Sequence, residues 1–378
     1  MKTILKSFLM FLGVTIAFSS CSDWTETEIK DPENLTDAQK TEEYYENLRA
    51  YKKTDHPVAF GWFGEWVGSG ASLEHSLRGL PDSVDFVSIW GNWKNLDEAR
   101  IADKKYVKEV KGTRALVCFI VDNYGTQLTP EGETPADFWL FGQTYGEGVD
   151  LDSVRVANYA NAICDTIDKY DYDGFDYDYE PNFGHSGNIS KSAFSQKKYE
   201  RIFVRTLAKR LGPLSGTDKL LVMDGEPQTI AGDLGECFDY FIVQAYACTS
   251  ASNLDNRIAA AISNLTQPAE GTSKYLSPSS PFYPSRYLTA EEIARKYIVT
   301  ENFESYAATG GVTFSDRNGN VMRSLEGMAR WQPIINGRTV QKGGIGTYRM
   351  QLEYKVSGFD ETYPYLRKGI HIMNPVIK

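Results

Sequence analysis

The sequence predicts an α/β chain folded as a single (β/α)8, or TIM, barrel. From residue 57 onward, short apolar runs alternate with amphipathic segments, as βαβ units require. The runs number eight, at 57–63, 84–90, 115–121, 173–180, 219–224, 239–246, 296–302 and 343–349. After the first run stands Trp62-Phe63-Gly64-Glu65-Trp66 rather than a Gly-rich phosphate loop. A doubly wound open sheet is therefore the weaker alternative.

Taken in order, the chain opens with Lys2 and Lys6 ahead of an apolar stretch from Phe8 to Phe18. That stretch is too short to span a bilayer, and residues 1–20 read as a secretory signal. Phe18-Ser19-Ser20-Cys21 then places small residues directly before a cysteine. This looks like a bacterial lipoprotein cleavage site, with Cys21 the expected lipidation point. Residues 21–51 are polar and acidic and read as a flexible tether, leaving 52–378 for the barrel.

Between the apolar runs lie helical patterns at 154–170 and 192–211, with apolar residues at helical spacing. Thr289-Ala290-Glu291-Glu292 opens another helix with a capping threonine and early acids. Residues 363–373 form the closing one. Residues 310–323, with a polar Ser315–Asn320 centre, read as a hairpin or loop rather than a domain.

The formal net charge is −10, and losing Lys2 and Lys6 with the signal takes it to −12. Without a basic stretch, the chain is not expected to bind nucleic acid. Its 23 Tyr, 19 Phe and 7 Trp exceed what a core needs and suggest exposed aromatic platforms for a neutral, hydroxyl-rich substrate. Cys118, Cys164, Cys237 and Cys248 show no metal-ligand spacing, so neither a metal nor another cofactor is expected. Cys118 and Cys237 read as core residues.

The fourth run is the informative one: Asp173-Gly174-Phe175-Asp176-Tyr177-Asp178-Tyr179-Glu180-Pro181. Period-two alternation puts Asp176, Asp178 and Glu180 on one face of a strand and Phe175, Tyr177 and Tyr179 on the other. Pro181 ends the strand, leaving Glu180 at its C-terminal end, where barrels of this kind carry their catalytic groups. Asp178 lies one pleat below, about 7 Å away along the strand. Like charges that close oppose one another, so the cluster should titrate as a unit and retain a proton for a general acid. A calcium loop fits poorly, because aromatics separate the acids and Gly174 precedes them.

Asp173-Gly174-Phe175-Asp176-Tyr177-Asp178-Tyr179-Glu180 resembles the DGxDxDxE signature of glycoside hydrolase family 18, the chitinase and endo-β-N-acetylglucosaminidase family. The resemblance implies retaining, substrate-assisted hydrolysis, in which the substrate's own 2-acetamido group is the nucleophile. It implies that Glu180 is the acid and later the base, that Asp178 holds the acetamido N–H and that Asp176 tunes Asp178. Gln244-Ala245-Tyr246 ends the sixth run, and the resemblance gives Tyr246 the acetamido carbonyl, with Gln244 on the same face. Met223 and Asp224 on the fifth run are lining candidates. Trp62, Trp66, Trp90 and Trp93 are candidate sugar platforms, with covering of the barrel top the alternative for half of them. His185 reads as a solvated loop residue.

Chitinases of this family carry a tryptophan at the end of the eighth strand, whereas residues 343–354 here offer only Tyr348 and Tyr354. That departure favours an endoglycosidase acting on the N-acetylglucosamine pair of N-glycans over a chitinase. The acidic segment after Cys21 and the sequence from Leu366 to Pro375 resemble Bacteroides-type lipoprotein endoglycosidases. The implied setting is the outer membrane, cell-surface exposed and lipid-anchored, with the chain a monomer and its partner a GlcNAc-containing glycan or glycoprotein. A glycan-binding protein with this barrel but no turnover is the alternative from a different functional class.

Overall fold

The computed structural model describes residues 40–375; the signal and Cys21 readings lie outside the described residues. Eight parallel strands close into a barrel: β1 (Val58–Gly64), β2 (Phe86–Trp90), β3 (Arg114–Ile120), β4 (Gly174–Tyr179), β5 (Leu220–Gly225), β6 (Tyr240–Gln244), β7 (Tyr297–Asn302) and β8 (Gly344–Tyr348). Each pairs with its neighbours in sequence, and β1 closes onto β8 with Val58 opposite Gly344. All eight apolar runs became barrel strands, with ends displaced by one or two residues.

The helices of seven residues or more are α1 (Glu42–Tyr51), α2 (Glu98–Tyr106), α3 (Leu151–Lys169), α4 (Lys198–Leu207), α5 (Ala251–Leu265), α6 (Ala290–Lys296), α7 (Ser324–Arg330) and α8 (Pro364–Met373). Thr289 caps α6 as expected and forms a reciprocal capping box with Glu292. The segment 310–323 is a hairpin, Thr313–Ser315 against Val321–Arg323. The pattern at 192–211 overestimated its helix, which spans only Lys198–Leu207.

The tether expectation is corrected at its C-terminal end. Glu42–Tyr51 is helical, with the Thr41 side chain accepting from Tyr44 N and Leu48 fully buried. Arg49 donates to the Val110 carbonyl at 2.8 Å, so α1 is fastened to the segment after α2. With Tyr44 OH on Asp82 at 3.1 Å and Lys52 Nζ on the Val84 carbonyl at 2.6 Å, these contacts dock a stretch whose composition reads as solvated.

Strand alternation divides the buried residues into two layers. Phe60, Trp62, Phe86, Leu116, Cys118, Val222, Ile242 and Ile298 fill the barrel. Phe175, Tyr177, Tyr179, Met223 and Phe241 face the helices, where Tyr177 and Tyr159 both pack on Phe203. Gly346 on β8 admits Phe60: an added Cβ would lie 2.6 Å from its ring. Gly174 starts β4 at φ +153, with Leu220 O only 2.2 Å from where a Cβ would sit. The β4–β5 pairing therefore depends on a glycine at that position.

Gly174→Ala should lower the unfolding free energy by about 2–4 kcal/mol, in the range of strained, backbone-clashing substitutions. Urea denaturation of the two proteins measures it.

Candidate active site

The C-terminal ends of the strands bring one group of side chains together. Trp62, Trp90, Ile120, Asp178, Glu180, Asp224, Gln244, Tyr246 and Tyr348 line a cavity of about 220 Å3. Strand register sets the acids: Asp178 on β4 pairs with Asp224 on β5, and Asp176 one pleat below pairs with Val222. One oxygen from each of Asp178, Glu180 and Asp224 lies within 4.8 Å of the others. Asp176 and Asp224 are fully buried and Asp178 is 2% exposed.

Burial dominates the electrostatics. It raises the Asp176 carboxyl from 3.8 to about 6, partly offset by Ser88 Oγ, which donates to Asp176 Oδ2 at 2.6 Å. Burial, then the Glu180 and Asp176 charges, push Asp178 well above the carboxylate range. Asp224 is raised the same way by burial, then by Asp178. The acids therefore hold protons between them at neutral pH.

Gln244 Nε2 donates to Glu180 Oε1 at 2.5 Å and to Asp224 Oδ1 at 3.1 Å. The Asp178–Glu180–Asp224 trio has the spacing to hold a cation. Glu180 and Asp224 are already bridged by the Gln244 amide nitrogen. Asp178 Oδ1 is buried and accepts from no protein N–H or hydroxyl, while the Asp178 carboxyl also meets that of Asp224.

The Tyr348 ring lies 6.1 Å from Trp62, 6.0 Å from Trp90 and 6.0 Å from Tyr246, forming an aromatic base at the end of β8. Burial and the Asp224 and Asp178 charges raise Tyr246 well above its usual value, so its hydroxyl remains a donor. Loop residues fix these groups. Glu226 accepts from Asn182 N at 2.8 Å and Asn182 Nδ2 at 2.9 Å, pinning the turn that follows Glu180. Glu301, fully buried on β7, accepts from Ala247 N at 2.7 Å. Ala247 stands at φ +51 directly after Tyr246, so Glu301 holds a strained backbone step that aims the tyrosine.

The family model for glycoside hydrolase family 18, BT1044-like, matches residues 21–372. The chain belongs to glycoside hydrolase family 18. It is a glycosidase. Over 89% of this chain and 93% of its own, the solved structure of a BT1044 Glu-to-Gln variant is 34% identical, with a TM-score of 0.72. Endo-beta-N-acetylglucosaminidase F2 of Elizabethkingia meningoseptica is 24% identical over 346 residues, 87% of this chain and 85% of that protein. An endo-beta-N-acetylglucosaminidase structure from Cordyceps militaris shares the fold at 20% identity and a TM-score of 0.55, covering 92% of this chain and all of that one.

Within this family 18 barrel, some sequence-selected residues fall elsewhere. Met223 does not line the cavity: it pairs with Tyr177 and is buried against the helices. Adjacent strand residues face opposite ways, so only one of Met223 and Asp224 could enter the barrel. Trp66 is fully buried and donates to Asp103 Oδ2 at 2.8 Å. Trp93 is buried and stacked on Phe119. Neither is a sugar platform. Trp62, 2% exposed, lines the cavity and meets the Tyr348 ring edge-on. His185 is not merely solvated, with Nε2 3.8 Å from Glu180 Oε2. Sequence reasoning missed Ser88, Glu226 and Glu301. For Ser88 the signal was a polar residue facing inward on an otherwise apolar strand.

A raised carboxyl stabilises the fold fully below its unfolded value near 4, and the contribution is lost as pH rises through the folded value. Stability should thus decline from pH 4 through about 6, where Asp176 titrates, and further as Asp178 and Asp224 ionise. Asp224→Asn, an uncharged isostere, should make the decline between pH 5 and 8 shallower. Urea midpoints across that range measure it.

Proposed function

We propose that the chain is a retaining endo-β-N-acetylglucosaminidase that cleaves the β-1,4 bond within the N-acetylglucosamine pair at the base of N-glycans. The observation that carries this reading is the 220 Å3 cavity lined by Asp178, Glu180 and Tyr246, in which Asp178 Oδ1 accepts from no protein N–H or hydroxyl. An acetamido group suits it chemically. Its N–H would meet that Asp178 oxygen, its carbonyl would accept from the Tyr246 hydroxyl, and the sugar face would rest on Tyr348. The carbonyl oxygen then attacks the anomeric carbon as Glu180 protonates the leaving oxygen. Water later opens the oxazolinium with Glu180 as base.

Asp176 and Asp178 follow one another along β4 before Glu180, and Asp224 pairs with Asp178 from β5; membership of family 18 supports the substrate's own nucleophile over an enzyme carboxylate. The endoglycosidase name of the Elizabethkingia relative supports the substrate class, as does a Cordyceps militaris variant structure that holds fucosyl-N-acetylglucosamine-Asn. Chitinase activity and glycan binding without turnover are the competing outcomes.

The purified protein should release glycans from high-mannose or complex glycoproteins, read by mass spectrometry, and leave chitin oligomers intact. Glu180→Gln should lose about 10²–10⁴-fold in kcat, the usual share of a general acid–base group. Retained glycan affinity with no release by the unmutated protein would overturn the enzyme reading.

Cell-surface anchoring through Cys21, with the barrel acting as a monomer, belongs to the same proposal. Its support is the apolar stretch and small residues before Cys21. Cys21→Ser should abolish incorporation of labelled palmitate and move the protein from membrane to soluble fractions.

A further inference from the structure

The seam where the barrel closes is not held by backbone pairing at its catalytic end. β1 and β8 pair from Val58 opposite Gly344 to Gly61 opposite Thr347, and there their register stops. Beyond it, Trp62 and Gly64 pair with β2, Gly64 lying opposite Trp90. Tyr348 pairs with Asn302 on β7. Trp62 and Tyr348 thus meet, ring centroids 6.1 Å apart, across an unpaired stretch of seam.

A short turn, Met350–Glu353, bridges that stretch. Arg349, at φ +58, swings the chain out of β8 directly after Tyr348. Gln351, fully buried, then accepts from Gly64 N at 3.0 Å through Oε1. Removing that acceptor would leave a buried N–H unpaired at the end of β1. Met350 lies against Gly61, where an added Cβ would sit 2.5 Å from its sulfur. At the far end of the turn, Glu353 Oε1 accepts from Tyr365 N at 2.5 Å and Leu366 N at 3.0 Å. Those amides begin α8, which packs on β8 where Gly369 meets Ile345. The turn is a strut with one foot on β1 and the other on α8.

We propose that Gln351 and Glu353 are positioning residues for Tyr348, the first by holding the turn to β1 and the second by holding it to α8. Both are fully buried and neither lines the cavity, so each acts through the ring. The assignment rests on Tyr348 being the base beneath the N-acetylglucosamine, as read above.

Glu353 adds a pH dependence. Burial raises its carboxyl from 4.5 to about 8; the Leu366 and Tyr365 amides oppose the shift and the Glu361 charge adds to it. The buried Tyr363 and Tyr354 hydroxyls stand near, with Glu74 beyond them. The carboxyl is therefore neutral at pH 7, and its ionisation above pH 8 places a buried charge behind the strut.

A double-mutant cycle tests the assignment. The probes are free N-glycans, one high-mannose and one complex, each ending in one reducing N-acetylglucosamine and titrated by calorimetry. Tyr348→Ala and Gln351→Met should each weaken binding by about tenfold, the size of one good aromatic contact. Together they should cost no more than Tyr348→Ala alone. Glu353→Gln, which keeps both acceptor bonds, should shrink the loss of affinity between pH 7 and 9. If Gln351→Met does not fold, that pH profile decides alone. Additive losses, unchanged affinity in Gln351→Met, or an alkaline loss as large in Glu353→Gln would overturn the strut. Glycoprotein cleavage by the unmutated protein is assayed alongside. Non-additive binding without cleavage would sink the hydrolase reading and leave the strut standing. Cleavage with additive losses would sink the strut alone, and no glycan binding at all would sink both.

Discussion

Carboxyl groups buried at the mouth of an aromatic barrel set the terms for the rest of the structure. Asp176, Asp178 and Asp224 are 0–2% exposed and lie close to one another and to Glu180. Ionising all of them would cost several kcal/mol per charge after relaxation. The fold meets that cost by keeping protons within the group and by supplying neutral donors, Ser88 below and Gln244 above.

Those protonated acids must be held against strain, and the opposite face of β4 does this. Tyr177 OH meets Ser190 Oγ at 3.0 Å, and Tyr179 OH donates to the Lys191 carbonyl at 2.7 Å. Lys197 Nζ reaches Tyr179 OH at 2.5 Å and Glu200 at 2.7 Å, in a buried ion pair under the same strand. The tyrosines that alternate with the acids thus anchor the far end of the loop that begins at Glu180. The near end is pinned by Glu226.

How much was legible follows from the range over which each feature is encoded. Asp176, Asp178 and Glu180 were readable because period-two alternation is a local rule, and Thr289 because a cap is written within four residues. Met223 was misplaced because composition marked both it and Asp224, while pleat parity admits only one. Helix α1 was read as tether because its stability comes from Leu48 packing and from Arg49 reaching Val110, contacts that no property of residues 42–51 discloses. Glu301 was invisible for the same reason: its partner, Ala247, is 54 residues away.

The sequence by itself determined the class of chain, its eight strands and the acid face of the fourth, since these depend on periodicity and on which residue types tolerate a strand end. Tertiary structure alone decided that Asp224 joins the acids, that Tyr348 completes the aromatic base, that Trp66 and Trp93 are core and that Phe183 is exposed beside the acid. The physical reason is closure. Strands distant in sequence become neighbours only when β8 meets β1 and every register is set, and side chains from separate loops share a cavity only then.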